Sequence, residues 1–82
     1  MGRRRRPGFA VLGVVTRAGK GKVLLNAARI PHLSTKVYDQ RGAGVGYVSN
    51  VLGPESSPHI VVKLTSKTIP KIGEKLYLED GG

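Results

Sequence analysis

Residues Gly44 to Leu64 read GVGYVSNVLGPESSPHIVVKL, and two apolar segments in this stretch flank a short link with one glycine and two prolines. From Val45 to Leu52, one set of side chains at odd positions alternates with a second set at even positions. This spacing fits a period of two, which indicates a strand rather than a helix. The odd set is Val45, Tyr47, Ser49 and Val51, and the even set is Gly46, Val48, Asn50 and Leu52. The segment from His59 to Leu64 is rich in β-branched residues and follows Pro58, and a proline can open a strand but not occupy its middle. The two segments are predicted to pair as neighbouring strands.

The link between these segments is predicted to be a stiff loop of defined shape. Gly53 gives the backbone access to conformations with positive φ, whereas Pro54 and Pro58 fix φ and donate no hydrogen bond. A stiff exposed loop suits recognition of a partner. The alternative is an ordinary hairpin connection that binds nothing.

Four further strands are predicted from short apolar segments bounded by turn residues: Phe9–Thr16, Val23–Ile30, Thr35–Asp39 and Lys75–Glu79. The glycines at 42, 44 and 46 indicate a turn or bulge, because no amphipathic helix follows them as a dinucleotide fingerprint requires. Six short strands without helical periodicity predict an all-β fold, a small closed six-stranded barrel whose closure removes exposed edges. The predicted core residues are Leu12, Val14, Val23, Leu25, Val37, Val48, Val62, Leu76 and Leu78.

The 82-residue length predicts one domain with a thin core. Residues 1–8 are predicted to form a flexible basic arm, 9–79 the barrel and 80–82 a disordered tail. The basic start does not fit a secretory signal, because its apolar segment is short and is followed by Arg17 and Lys20. No segment has the apolar length of a membrane-spanning helix, so no membrane partner is expected. The absence of cysteine excludes disulfides and thiolate metal sites.

Charge is distributed unevenly along the chain. Residues 1–36 contain nine basic side chains and no acid, whereas residues 37–82 contain five of each sign. This asymmetry indicates that the first half lies near a polyanion and that the neutral second half meets a protein. The alternative is a solvated basic surface that keeps the protein soluble.

The segment Gly19-Lys20-Gly21-Lys22 is predicted to be a basic hairpin turn. It is not a Walker A loop, because the spacing of its glycines is wrong and no Ser or Thr follows Lys20. Residues proposed for contact with an RNA backbone are Arg3, Arg4, Arg5, Arg6, Arg17, Lys20 and Lys22.

Catalysis is not expected from this sequence. His32 and His59 stand alone beside prolines, and no nucleophile, base and orienting group occur in a recognisable pattern. No metal site and no cofactor are expected either. The isolated chain is expected to be a folded, inactive monomer.

The central stretch also resembles a known family. Gly46, Val48, the run from Val51 to Pro54 and the segment from Pro58 to Lys63 are similar to the signature of the small Gly/Arg-rich-type core subunit of box H/ACA ribonucleoproteins, the RNA-guided pseudouridylation particles. Similarity extends from about Leu12 to Glu79. Leu52 stands where that family usually has an aromatic residue, and His59 where a tyrosine is common. The chain lacks the long Gly/Arg-rich tails and resembles a minimal, archaeal-type member.

The resemblance implies a six-stranded barrel similar to translation-factor barrel domains, acting as a non-catalytic subunit. Its partner would be the pseudouridine synthase subunit, and it would aid substrate loading and product release in pseudouridylation of rRNA. Guide and substrate RNA would be contacted indirectly or by weak electrostatic attraction. The location would be cytoplasmic in an archaeon and nucleolar in a eukaryote. Residues proposed for the synthase-docking surface are Val51, Leu52, Gly53, Pro54, Pro58, His59 and Ile60.

The competing hypothesis is a stand-alone RNA-binding barrel of the ribosomal or translation-factor type. The basic first half favours it. However, RNA-reading barrels usually display several aromatic side chains for base stacking, and the four in this chain are scattered over different predicted strands.

Overall fold

A computed structural model describes residues 9–27 and 29–79, which form six strands and, within that part of the chain, no helix. The strands are β1 (Phe9–Ala18), β2 (Lys22–Ala27), β3 (Lys36–Tyr38), β4 (Gly44–Leu52), β5 (His59–Leu64) and β6 (Lys75–Glu79). Every neighbouring pair is antiparallel, and the order β1-β2-β5-β4-β3-β6 closes on itself. The predicted all-β six-stranded barrel is confirmed. The predicted arm at 1–8 and tail at 80–82 lie outside the described residues.

Most strand limits agree with the sequence patterns, but β2 ends earlier than predicted. Its last residue is Ala27 rather than Ile30, and the Ile30 side chain is 52% exposed. The cause lies in the partner strand: the Ala27 amide donates to the Pro58 carbonyl at 3.0 Å, and β5 begins only at His59. On its β5 side, β2 has no strand to pair with beyond that point.

The barrel interior is filled by aliphatic side chains alone among the described residues. They are Leu12, Val15, Val23, Leu25, Val37, Val45, Val48, Ile60, Val62, Leu76 and Leu78. Eight of the nine predicted core residues are in this set, and the prediction of Val14 is wrong because its side chain is only half-buried. The set also includes Val15, Val45 and Ile60, which the sequence patterns did not assign to the core.

β-Bulges explain these differences. In β1 the register shifts at Leu12 and again at Thr16. In β4 it shifts between Gly44 and Gly46, and again at Ser49. Each extra residue reverses which side chains point inward for the rest of the strand. Buried residues therefore recur three positions apart rather than two, and the uniform alternation predicted for Val45 to Leu52 is wrong. The predicted bulge among the glycines of this region is confirmed.

Two strand crossings are so close that only glycine fits. A Cβ on Gly46 would collide with the carbonyl oxygen of Lys63 in β5. A Cβ on Gly13 would collide in the same way with the carbonyl oxygen of Asn26 in β2. Both glycines are buried, so the neighbouring backbones pack directly against each other where the barrel is tightest.

An internal repeat gives the barrel an approximate two-fold symmetry. Residues 30–38 read IPHLSTKVY and residues 69–77 read IPKIGEKLY, with four of nine positions identical. The equivalent residues Ser34 and Gly73 have φ of 70° and 93°. Their amides donate to equivalent carbonyls, that of Val48 at 2.7 Å and that of Val15 at 2.8 Å. These two segments therefore fold alike before they enter β3 and β6.

Strand pairing follows the same symmetry, which exchanges β1 with β4, β2 with β5 and β3 with β6. Equivalent Cα pairs include Val15–Leu25 with Val48–Val62, and Gly13–Ala27 with Gly46–Leu64. At the equivalent bulges, the Thr16 hydroxyl donates to the Leu24 carbonyl at 3.2 Å and the Ser49 hydroxyl to the Val61 carbonyl at 3.3 Å. The barrel is thus two copies of a three-stranded unit, which pair through β2 with β5 and through β3 with β6.

The seam between β3 and β6 closes the barrel with aromatic side chains. Tyr38 lies opposite Tyr77, and its ring meets that of Phe9 edge to face, with centroids 5.0 Å apart. The Tyr38 hydroxyl donates to Glu79 Oε1 at 3.4 Å. Partial burial and then the Glu79 carboxylate raise the pKa of Tyr38 above its ordinary value of 10.0.

The close strand crossing at Gly46 predicts that one added methyl group there greatly lowers the stability of the protein. Replacing Gly46 by Ala should lower the free energy of unfolding by at least about 2 kcal/mol, because the Cβ meets backbone that cannot move without breaking the sheet. Gly44→Ala is the matched control, since a Cβ there has no contact closer than Tyr38 Cε2 at 4.0 Å. Thermal or urea unfolding of both variants checks this, and equal stability of the two would contradict the assignment.

Candidate functional site

The connection between β4 and β5 is a loop held in one shape by its own backbone. The Ser57 amide donates to the Pro54 carbonyl at 3.0 Å, which closes a turn. Gly53 has φ of 87°, a conformation to which glycine gives access, and an added Cβ there would lie 3.2 Å from Cδ2 of His59. At its far end, the Pro58 carbonyl is fixed by the Ala27 amide of β2. The loop is therefore held by backbone hydrogen bonds both within its turn and at its far end.

The structure divides the seven residues proposed for docking into exposed and buried groups. Leu52 is 45% exposed, and Gly53 and Pro54 are exposed beside it. The proposal of Ile60 as a surface anchor is wrong, since its side chain is 0% exposed and belongs to the core. Pro58 is buried as well.

Val51 and His59 complete the set. Val51 is half-buried and packs against the core. His59 lies opposite Leu52, and its Nδ1 is buried without a hydrogen-bond partner among the described residues. Both residues are half-buried on the barrel side of the loop. The exposed apolar part of the proposed docking surface is thus small and centres on Leu52 and Pro54.

Ile60 and Pro58 were wrongly predicted to lie on the surface because β5 starts as soon as the loop ends. His59 is already paired with Asn26 of β2 and Leu52 of β4, so the next residue must point into the barrel. A proline before a β-branched run is compatible with either an exposed or a buried position. Only the pairing with two neighbouring strands decides between them.

The basic residues proposed for RNA contact lie mainly at the other hairpin. Lys20 and Lys22 are exposed on the turn between β1 and β2, where Gly21 has φ of 73°. The Gly21 carbonyl accepts the amide of Leu64 at 2.8 Å, which places this turn beside the end of β5. Lys22 therefore lies directly opposite Lys63, a residue that the sequence patterns did not connect with it.

Arg17 is less closely associated with this group. It is exposed on β1 opposite Leu24, two residues along β2 from Lys22. The four arginines at positions 3 to 6 lie outside the described residues. The structure thus brings together two of the three proposed basic residues within its described part and adds Lys63 to them.

The two candidate surfaces occupy opposite ends of the β2–β5 pair. The basic turn lies at Lys22, and the Gly53–Pro58 loop approaches β2 at Ala27. Five residues of strand separate these positions, about 16 Å at 3.3 Å per residue. The two candidate surfaces therefore share no residue.

The described residues, 9–27 and 29–79, contain no metal-binding cluster. No three side chains of His, Cys, Asp or Glu lie there in an arrangement that could hold a metal ion. Within the same residues no helix is long and apolar enough to cross a membrane.

Comparison with known proteins finds similarity in sequence and in structure. An uncharacterized protein of Methanothermobacter thermautotrophicus is 27% identical over 66 residues, which cover 74% of this chain and 72% of the relative. A solved structure of the Gar1 domain of NAf1 is 18% identical, with a TM-score of 0.69 over 87% of this chain and 85% of that one. No protein-family model matches the chain. At this level of identity the structural similarity shows the fold, so the chain has a barrel of the Gar1-domain type.

Proposed function

We propose that this protein is a non-catalytic subunit of a box H/ACA-type ribonucleoprotein and that it binds the pseudouridine synthase subunit. One observation carries the proposal: the family-like signature from Gly46 to Lys63 lies on two paired strands and a shaped, exposed loop of a Gar1-type barrel. Sequence resemblance and fold thus agree independently. Leu52 and Pro54 would be the apolar anchors, because they are the exposed apolar residues of that loop.

The loop has the physical properties that an anchor for a protein partner requires. Most of the binding energy of an interface comes from a few residues that lose little entropy on binding. Leu52 ends β4 and is paired there with His59 of β5, and the turn from Pro54 to Ser57 is closed before any partner arrives. Little conformational freedom remains to be lost when the loop docks.

Its contribution to pseudouridylation would be positional. The barrel would hold or release the part of the synthase that closes over substrate RNA, which affects loading and product release rather than the chemical step. We assign no catalytic group to the chain. Isolated protein should therefore form no pseudouridine in RNA.

A stand-alone RNA-binding barrel is the second candidate, favoured by the exposed basic turn at Lys20 and Lys22 beside Lys63. The two functions are separated by one comparison. A synthase-docking subunit binds purified synthase in the absence of RNA and depends on the Gly53–Pro58 loop. A stand-alone barrel binds RNA and shows no affinity for the synthase.

Truncation of Leu52 tests the docking surface. Leu52→Ala should weaken binding to purified synthase by roughly 1 to 3 kcal/mol, while the melting temperature stays close to that of the parent chain. Leu33→Ala is the matched control, because Leu33 is also an exposed leucine, at 60%, on a different connection. Calorimetric titration and thermal unfolding of each variant give both quantities.

The two variants also define what would contradict docking at this loop. Normal synthase affinity for Leu52→Ala, with a normal melting temperature, would show that the loop is not the interface. Loss of affinity in Leu33→Ala alone would move the interface to the connection before β3. Absence of synthase binding by the parent chain would reject the proposed function itself.

Substitution of Gly53 tests whether the shape of the loop matters. Gly53→Val should destabilise the chain by about 1 to 3 kcal/mol, because valine is strained at φ of 87° and its Cβ crowds His59. Gly53→Asn should be milder, since asparagine tolerates positive φ. Synthase affinity measured below the melting temperature of each variant should fall in the same order, and unchanged affinity in both would show that loop shape is irrelevant.

Deletion of Arg3 to Arg6 tests whether the basic arm contributes to RNA binding but not to synthase binding. The deletion should reduce salt-dependent, sequence-independent RNA affinity, because fewer phosphate counterions are released on binding. Synthase affinity should remain unchanged. If the deletion abolished synthase binding, the arm would be part of the protein interface.

A further inference from the structure

Four side chains from four strands form one row across the outside of the barrel. Lys22 of β2 lies opposite Lys63 of β5, Lys63 lies opposite Tyr47 of β4, and Tyr47 lies opposite Lys36 of β3. The three lysines are exposed and the tyrosine is half-buried. Neighbouring strands are about 4.8 Å apart, so this basic row is about 14 Å long.

The row holds positive charge that the described part of the protein does not neutralise. Lys22 and Lys63 are like charges directly opposite each other, an arrangement that destabilises a sheet. None of the three lysines makes an ion pair with a described residue. Asp39, the carboxylate that follows β3, is engaged elsewhere, since its Oδ1 accepts the amides of Arg41 and Ala43. An unfavourable, unpaired arrangement of this kind is expected where an anionic ligand supplies the missing charge.

A surface cavity of about 320 Å³ opens at the Tyr47 end of the row. Its lining residues are Ser34, Lys36, Gly44, Gly46, Tyr47 and Thr65. This volume lies within the range of small-ligand sites, about 300 to 1,000 Å³. The lining combines an aromatic side chain, a lysine and two hydroxyl groups, which suits a ring next to a phosphate or sugar.

The internal symmetry supplies a comparison within the same molecule. The equivalent row on the other half runs through His59, Asn26, Val14 and Lys75. There Val14 stands in place of Tyr47 and Asn26 in place of Lys63. Only one of the two rows is both aromatic and rich in lysine.

The cavity follows the same difference between the halves. Gly44 of β4 lies opposite Tyr38, and its symmetry equivalent in β1, Val11, lies opposite Tyr77. The Val11 side chain is 39% exposed. Where the first half carries an exposed valine, the second half carries no side chain, which leaves room beside Tyr47. Backbone packing does not demand a glycine at this position, because a Cβ on Gly44 would meet nothing closer than 4.0 Å. The open floor of the cavity therefore does not follow from the fold alone.

We propose that the basic row and its cavity bind a single-stranded nucleic acid, with a base stacked on Tyr47 and the phosphates on Lys22, Lys36 and Lys63. An aromatic face flanked by lysines is the usual means by which proteins hold unpaired nucleotides without reading their sequence. A row of about 14 Å is long enough to contact more than one phosphate of a bound strand. A duplex would hide its base faces from Tyr47, so the strand is single.

Nucleic-acid binding at the basic row does not depend on synthase binding. The row includes Lys22 and Lys63, at the end of the β2–β5 pair opposite to the Gly53–Pro58 loop. Leu52→Ala should therefore leave oligonucleotide affinity unchanged, and substitutions in the row should leave synthase affinity unchanged. Failure of one site is thus distinguishable from failure of the other.

Anisotropy of a labelled ten-nucleotide uridine RNA and of the matching thymidine DNA, titrated with the full chain, measures binding directly. Tyr47→Val and Lys63→Asn replace each residue with its symmetry equivalent and should weaken binding on the order of tenfold for the tyrosine and several-fold for the lysine. Gly44→Val, which fills the cavity with the side chain found at Val11, should also weaken binding. Circular dichroism checks that each variant is folded.

Lys36→Gln and Lys75→Gln form a matched pair, because both remove one exposed lysine from symmetry-equivalent positions. Lys36→Gln should lower the slope of log affinity against log salt by about 0.7, the value for one phosphate contact on a single strand. Lys75→Gln should change affinity by less than about twofold, the long-range effect of one screened charge. This pair keeps the test decisive if Tyr47→Val does not fold.

Several results would overturn nucleic-acid binding at the row. Equal losses in Lys36→Gln and Lys75→Gln would show diffuse attraction by net charge. Unchanged affinity in folded Tyr47→Val, or tighter binding of a duplex than of either single strand, would reject the stacking site. Binding of phosphatidylserine vesicles through the same lysines, without oligonucleotide binding, would assign the row to a membrane surface instead.

Discussion

Direct backbone contact at two glycines is the constraint on which the rest of the barrel depends. At Gly13 and Gly46 the neighbouring strand passes so near that no side chain can fit between them. A β-bulge precedes each glycine, and Leu12 and Val45 at those bulges point into the interior. A chain with only eleven buried aliphatic side chains in its described part closes around them because both crossings are this tight.

These two crossings are copies of each other, and the symmetry explains how a small barrel obtains two different surfaces. The β1–β2 and β4–β5 hairpins are equivalent, but one has a short basic turn at Lys20 and the other a longer turn closed between Pro54 and Ser57. The antiparallel pairing of β2 with β5 puts these hairpins at opposite ends. Divergence of the loops alone therefore separates an apolar candidate surface from a basic one.

Folding also redistributes the charge that the linear sequence keeps apart. Lys22 belongs to the basic first half and Lys63 to the neutral second half, yet they are direct neighbours in the sheet. Tyr47 and Lys36 extend that contact across two more strands. The basic surface of the first half is thus continued by residues that belong to the neutral second half.

The six strands, the closed all-β class and the need for backbone freedom at Gly53 were predictable from the sequence, because alternation, β-branching and glycine or proline act over a few residues. The repeat between residues 30–38 and 69–77 was present in it as well, although strand patterns alone did not reveal it. By contrast, the burial of Ile60 in the core and the contact of Lys22 with Lys63 are visible only in the folded barrel. Both facts depend on register and bulges, which are fixed by pairing between strands far apart in the chain.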